Sequence, residues 1–266
     1  MKLNNKVIVV TGGGNGVGRE LVLQLLAKGV SVAAVDINIQ ALAETLRIAG
    51  EPQKLSIHVA DITDYEAILK LVDEVVAKHG KVDGIINNAG IIQPFIELNE
   101  LKFDQINRVM NVNYYGTLYM IKAFLPLLLK RPEAHIVNIS SMGGFLPVPG
   151  QSVYGASKAA VRLLSEALYS ELLDTNIHVT VIIPGGVATD IKKNSNVSSS
   201  SATQEEKNSK LVLSPTKAAS LILKGMETNR YKMIIGKDAN LMNVLYKFSP
   251  KTAIRIIKKV MGSKKH

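Results

Sequence analysis

The chain has 266 residues, 47% of them hydrophobic and only 5% aromatic, and it contains no cysteine. This length suits one wound α/β domain, and the missing cysteines exclude disulfides and thiolate chemistry. The net charge of +10 sits mostly in residues 224–266, where eleven Lys/Arg face two acids, so nucleic-acid binding by the body of the protein is not expected. The five histidines show no ligand-like spacing, so no metal site is expected. Apolar runs are too short for a membrane span or a signal segment, which predicts a cytoplasmic protein.

Strand-like runs alternate with segments of helical period along the chain. KVIVVTG precedes a helix over 17–28, SVAAVD one over 38–49, KLSIHVAD one over 64–79, and VDGIINNAG one over 100–130. HIVNIS then precedes a helix over 153–173, HVTVIIPG one over 215–228, and RYKMIIG closes the series. This order predicts one doubly wound α/β fold, a parallel sheet of about seven strands with helices on both faces. The sheet domain is expected over 1–238, with a basic amphipathic helical extension over 239–266.

In such a sheet, ligands bind outside the carboxyl ends of the strands. The chemically distinctive residues fall there: Gly12–Gly18 after the first strand, Asp36 after the second and Asp61 after the third. Asn87–Gly90 follow the fourth, Ser140 and Ser141 the fifth, and Pro184–Gly186 the sixth. A glycine-rich turn between strand and helix admits a pyrophosphate at the helix N-terminus. Asp36 offers its carboxylate to ribose hydroxyls and repels a 2′-phosphate, which favours NAD over NADP; neither Asn15, Ile37 nor Asn38 is basic, and Arg19 is the one nearby cation. Asp61 is alternatively a cap for the following helix. Tyr154 and Lys158 stand at i and i+4 on one helix face, which brings an ammonium beside a phenol and is expected to lower its pKa.

These motifs resemble the short-chain dehydrogenase/reductase family over roughly residues 6 to 190. The family pattern TGxxxGxG falls on Thr11, Gly12, Gly16 and Gly18, NNAG on Asn87–Gly90, the catalytic tetrad on Asn113, Ser141, Tyr154 and Lys158, and the PG motif on Pro184 and Gly185, followed by Thr189. The resemblance implies a Rossmann-type domain. It places the dinucleotide on Gly12, Asn15, Gly16, Val17, Gly18, Asp36, Asp61, Ile62, Asn88, Ala89, Gly90, Tyr154, Lys158, Pro184, Gly185, Val187 and Thr189. It also implies that Ser141 holds the substrate oxygen, that Tyr154 moves the proton, that Lys158 supports Tyr154 and contacts ribose, and that Asn113 anchors a water.

Pocket walls are expected from 91–95, 142–148 and 187–191, with Gln93, Phe95, Ser141, Gly143, Phe145, Gly186 and Ile191 facing the substrate. They are mostly apolar, with Gln93 the obvious polar handle, which predicts a hydrophobic secondary alcohol or ketone of lipid, steroid or retinoid type. The alternatives are an NADPH-dependent carbonyl reductase and a non-catalytic nucleotide-sensing scaffold.

Two segments break the alternation. Residues 194–210 are serine-rich and polar, suited to a surface insertion or a substrate lid. The tail departs from the glycine-rich strand end of tetrameric family members; it is basic and amphipathic, and either packs over the pocket or lies on an anionic membrane surface, with Pro250 dividing it into two helices. Surplus apolar residues on helices 103–129 and 153–173 predict a homodimer.

Overall fold

The computed structural model describes residues 1–189, 191, 195 and 212–262, with side chains as far as Val260. Seven parallel strands form one sheet in the order β3-β2-β1-β4-β5-β6-β7. They are β1 Val7–Thr11, β2 Ser31–Asp36, β3 Leu55–Val59, β4 Gly84–Asn87, β5 Ala134–Ile139, β6 Ile177–Pro184 and β7 Lys232–Ile235. The order reverses between β1, which pairs with β2 on one side, and β4 on the other. The crevice at that reversal is where a wound sheet binds ligands. The expected doubly wound sheet is thus the observed one.

Successive strand residues point to opposite faces, and two cores result. Ile8, Val10, Val32, Ala34, Ile86 and Val137 join the first core, under helices α1 Gly16–Ala27, α2 Ile39–Ile48 and α7 Pro215–Glu227. Val9, Ala33, Val35, Ile85 and Ile136 join the second, under α3 Tyr65–His79, α5 Gly116–Leu128 and α6 Ser152–Glu171. Burial on both faces is why these strands read as unbroken Val/Ile runs. Phe124 of α5 is fully buried in the second core, and its truncation to alanine would cost about 3–5 kcal/mol.

The helix expected over 100–130 is divided. A 3₁₀ turn at Leu98–Glu100 leads to α4 Phe103–Met110, a π-helical turn at Asn111–Tyr115, and then α5. Two further helices, α8 Lys237–Phe248 and α9 Pro250–Gly262, form the tail, separated as expected at Pro250. Among the described residues no helix is long and apolar enough to cross a membrane. Most of 194–210 lies outside the described residues. Ser195, however, is buried, and its hydroxyl donates to the Ile191 carbonyl and accepts from Ile92 N–H, so this position of the polar segment does pack.

Candidate active site

The glycine loop is held from three sides. Gly13 N–H donates to the Val35 carbonyl, Gly14 N–H to Asp36 Oδ2 at 3.0 Å, and the Asn88 side chain to the Thr11 carbonyl at 3.0 Å. Thr11 Oγ1 accepts from both Asn88 and Ala89 N–H, which ties NNAG to the loop. Gly12 and Gly16 take φ of 69° and 51°, a conformation glycine adopts without strain. A β-carbon at Gly16 would sit 3.4 Å from Thr189 Cγ2 and fill the cradle at the start of α1. The first-turn N–H groups of a helix have no intrahelical partner and favour an anion.

This loop borders a cleft of about 720 Å³, a size that suits a dinucleotide or drug-sized ligand. Of the residues expected on the cofactor, Gly12, Asn15, Gly16, Val17, Asp36, Asp61, Ile62, Asn88, Ala89, Gly90 and Thr189 line it. Gly18 does not line the cleft; it lies behind the loop, where a β-carbon would meet the Gly12 carbonyl at 1.8 Å, so its smallness serves helix-to-loop packing. Pro184, Gly185 and Val187 likewise stand outside the cleft lining, Pro184 as the last residue of β6. Asp61 is no helix cap. Its Oδ1 accepts from Thr63 N–H and Oγ1, while Asp64 caps α3.

Sequence reasoning missed one wall. Asp104, Asn107, Arg108, Asn111 and Val112 border the same cleft, and their spacing of three and four residues along α4 and the π turn was the available signal. Arg19 is not part of the cleft. Its guanidinium donates to the Gly14 carbonyl, the Ala41 carbonyl and Thr45 Oγ1, which spends it on the loop itself.

The tetrad converges at the ends of β4 and β5. Tyr154 and Lys158 lie on α6, and the Tyr154 phenol faces Ser141, whose hydroxyl favours its ionised form; Ser141, the second residue after β5, also accepts from Gly143 N–H. Ser140 turns away, its hydroxyl donating to the Lys158 carbonyl at 2.7 Å. Ser141 is therefore the serine that meets the tyrosine. Asn113 is fully buried; its side chain accepts from Ile91 N–H and donates to the Ile91 carbonyl and Ser157 Oγ. A β-carbon at Gly90 would lie 3.1 Å from Lys158 Nζ and 3.2 Å from Asn113 Oδ1, which brings the two side chains to one point under NNAG. A π turn at this position fits the tendency of such bulges to mark functional sites.

The ionisation of the pair differs from expectation. Burial pushes the Tyr154 phenol above its usual range, and the Ser141 hydrogen bond opposes this only in part. Burial also lowers Lys158 to about 8. Desolvation disfavours both charged forms, and it outweighs the lowering that an adjacent ammonium was expected to give the phenol.

Gln93 is not a substrate handle. It is fully buried, its Oε1 accepts from Val153 and Tyr154 N–H, and its Nε2 donates to the Gly150 carbonyl. These bonds satisfy the first donors of α6, the helix that carries the tyrosine. Phe95 is 41% exposed. Phe145 meets the ring of Tyr246 from α8, centroids 6.0 Å apart, so the tail does cover the loop after Ser141. Gly143 sits beside Tyr154, where a β-carbon would lie 3.3 Å from the ring. Gly186 N–H donates to Asp238 Oδ2, and Ile191 lines the cleft.

The model of the short chain dehydrogenases matches residues 6–200. The chain belongs to the short-chain dehydrogenase/reductase family. Among its relatives, a Mycobacterium tuberculosis protein named as an oxidoreductase, SadH, is 36% identical over 262 residues, covering 95% of this chain and 94% of its own. The 3-oxoacyl-[acyl-carrier-protein] reductase FabG of Thermotoga maritima is 35% identical over 190 residues, 71% of this chain and 77% of its own. A Burkholderia phymatum short-chain dehydrogenase/reductase crystallised in complex with NAD superposes with a TM-score of 0.81 at 26% identity, covering 88% of this chain and 90% of that one. This short-chain dehydrogenase/reductase is accordingly an oxidoreductase with a nicotinamide-dinucleotide fold.

Proposed function

We propose that this enzyme transfers hydride between NAD(H) and a hydrophobic secondary alcohol or ketone. The observation that supports NAD is the placement of Asp36. Its carboxylate borders the cleft while Asn15, Ile37 and Asn38 bring no positive charge there, and Arg19 is bonded to the loop backbone. A fixed carboxylate at this place disfavours a 2′-phosphate. The residues present fit a dinucleotide: the Gly12–Gly16 cradle for the pyrophosphate, Asp36 for the adenosine ribose, Asp61 and Ile62 beside the adenine, and Asn88–Gly90 with Lys158 toward the reacting end. When bound, the nicotinamide supplies or accepts the hydride.

The chain's own residues handle the proton. Ser141 holds the substrate oxygen next to Tyr154, whose hydroxyl donates a proton to a ketone or takes one from an alcohol. Lys158 holds positive charge within the same pocket and would contact the ribose of a bound dinucleotide. Asn113 braces Ile91 and thereby the floor under NNAG. Catalysis by a positioned acid of this kind contributes about 10²–10⁴-fold.

Ile91 and Ile191 on the cleft, and Phe145 beneath the Tyr246 ring, support a hydrophobic substrate. Removing Gln93 from the wall leaves that surface more apolar than the sequence implied. Exposed Phe103 of α4 and Leu163 of α6, with Tyr115 of the π turn and Leu173 just beyond α6, support a homodimer through this face. The test is initial-rate measurement with NAD and NADP across a panel of hydrophobic alcohols. Equal or better kcat/KM with NADP would replace this reading by that of an NADPH-dependent reductase, and no turnover with either cofactor would favour the scaffold.

A further inference from the structure

The tail is built with two faces, and covering the pocket uses only one of them. On α8 the inner face is Ala239, Met242 and Tyr246: Ala239 is fully buried and Tyr246 meets Phe145. The opposite face repeats Leu241, Val244 and Phe248 at intervals of three and four, which a helix brings into one stripe. These side chains are 68%, 52% and 86% exposed.

Among the described side chains of α9 only Ala253 is buried, while Ile256 and Val260, one turn apart, are exposed. Lys251, Arg255 and Lys258 follow the other side of α9, also exposed. Exposed apolar residues on one side of a helix with cations on the other are the pattern of a helix lying in a membrane interface rather than of a solvated one. Packing over the substrate loop explains Tyr246 and leaves Phe248 without a reason.

We propose that α8 and α9 form a membrane-surface element that seats the enzyme on an anionic bilayer. Leu241, Val244, Phe248, Ile256 and Val260 enter the headgroup boundary, and Lys247, Lys251, Arg255 and Lys258 meet the acidic headgroups. Charge decides between this occupant and a second copy of the chain. Residues 237–266 carry eight Lys/Arg and one acid. Two such tails brought face to face would set like charges against one another, whereas an anionic surface neutralises them.

The test uses the full chain and sedimentation with vesicles of phosphatidylcholine alone or of phosphatidylcholine with phosphatidylserine. Binding to the acidic vesicles at low salt, with release as salt screens charge over about 10 Å, is expected. Two variants keep the result independent of any one fold defect, and their melting curves are recorded alongside. Lys251→Gln/Arg255→Gln/Lys258→Gln is expected to lower partition about 100-fold, and Val244→Asn/Phe248→Asn about 10-fold or more. Absence of binding at low salt, equal binding to neutral vesicles, or unchanged binding of both folded variants would overturn the proposal. So would concentration-dependent self-association that Phe248→Asn abolishes, since that outcome assigns the stripe to a second copy.

Discussion

Lys158 Nζ donates at 3.0 Å to the carbonyl of Ile139, the last residue of β5 and two positions before Ser141. The ammonium is thereby fixed to the strand that presents the serine. With Lys158 lowered to about 8 by burial, it is charged below that pH and neutral above. The reductive kcat/KM is expected to fall as pH rises through about 8, and in Lys158→Arg, which stays charged, that fall moves to higher pH. A wild-type profile flat through pH 8 would separate Lys158 from the rate. The same burial opposes folding below about pH 8 and ceases to do so toward 10.5, the unburied value. Lys158→Met is therefore expected to be more stable than wild type at neutral pH by about 1–3 kcal/mol, though inactive.

Tyr154→Phe removes the proton carrier and leaves the glycine loop untouched. Turnover is expected to be lost while NAD affinity, read by fluorescence titration, stays within about threefold. Retained turnover would take Tyr154 out of its assigned role.

Asp36 ties cofactor choice to loop structure, since its Oδ2 accepts from Gly14 N–H and its Oδ1 from Asn38 N–H. Asp36→Ala is expected to shift the NAD-to-NADP ratio of kcat/KM toward NADP by about 2 kcal/mol. An unchanged ratio in steady-state assays would place discrimination elsewhere, with Arg108 of the cleft wall the next residue to vary.

Gln93→Ala leaves Val153 and Tyr154 N–H without their acceptor at the start of α6. A stability loss of about 1–3 kcal/mol by urea unfolding is expected, together with a lower kcat. If Gln93 faced substrate instead, KM would rise with stability unchanged.

His135 is buried against Thr180, and the Thr180 hydroxyl donates to the Arg230 carbonyl. His135 Nε2 must then carry the hydrogen and Nδ1 has no partner; burial, and next the neighbouring His178, push its pKa well below 6.5. A group whose folded pKa is depressed stabilises fully above its unfolded value and loses that contribution as pH falls below it. Stability is expected to decline below pH 6.5 with a slope of up to about 1.4 kcal/mol per pH unit, and His135→Gln is expected to flatten that slope in urea titrations.

The sheet was legible because both of its faces are buried: the Val/Ile runs leave no polar alternation to confuse them with surface strands. Ser141 was legible from its spacing to Tyr154, and the structure adds that Ser140 is spent on a backbone carbonyl. What could not be read were roles set by three-dimensional partners. Gln93 looks like a polar handle in a row of apolar residues, and only the position of the α6 N-terminus shows what it bonds. Gly18 fits a cofactor motif, yet the Gly12 carbonyl behind it is the atom it must avoid. The phenol's upward shift came from desolvation, a property of surroundings that adjacency on a helix does not report. The tail's two readings were posed as alternatives because a helical stripe in sequence does not say how many sides are covered.

Asp238, in the first turn of α8, accepts from Gly186 N–H at 2.7 Å, and a β-carbon on Gly185 would stand 2.1 Å from its Oδ1. The PG turn is glycine there because a carboxylate from the tail occupies the room a side chain would need. Gly236, at φ +108°, is the single residue between β7 and α8, and Asn240 of α8 donates to the Ile234 carbonyl of β7. Through Asp238 the first turn of α8 is thus tied to the turn that leads to Thr189 on the cleft wall.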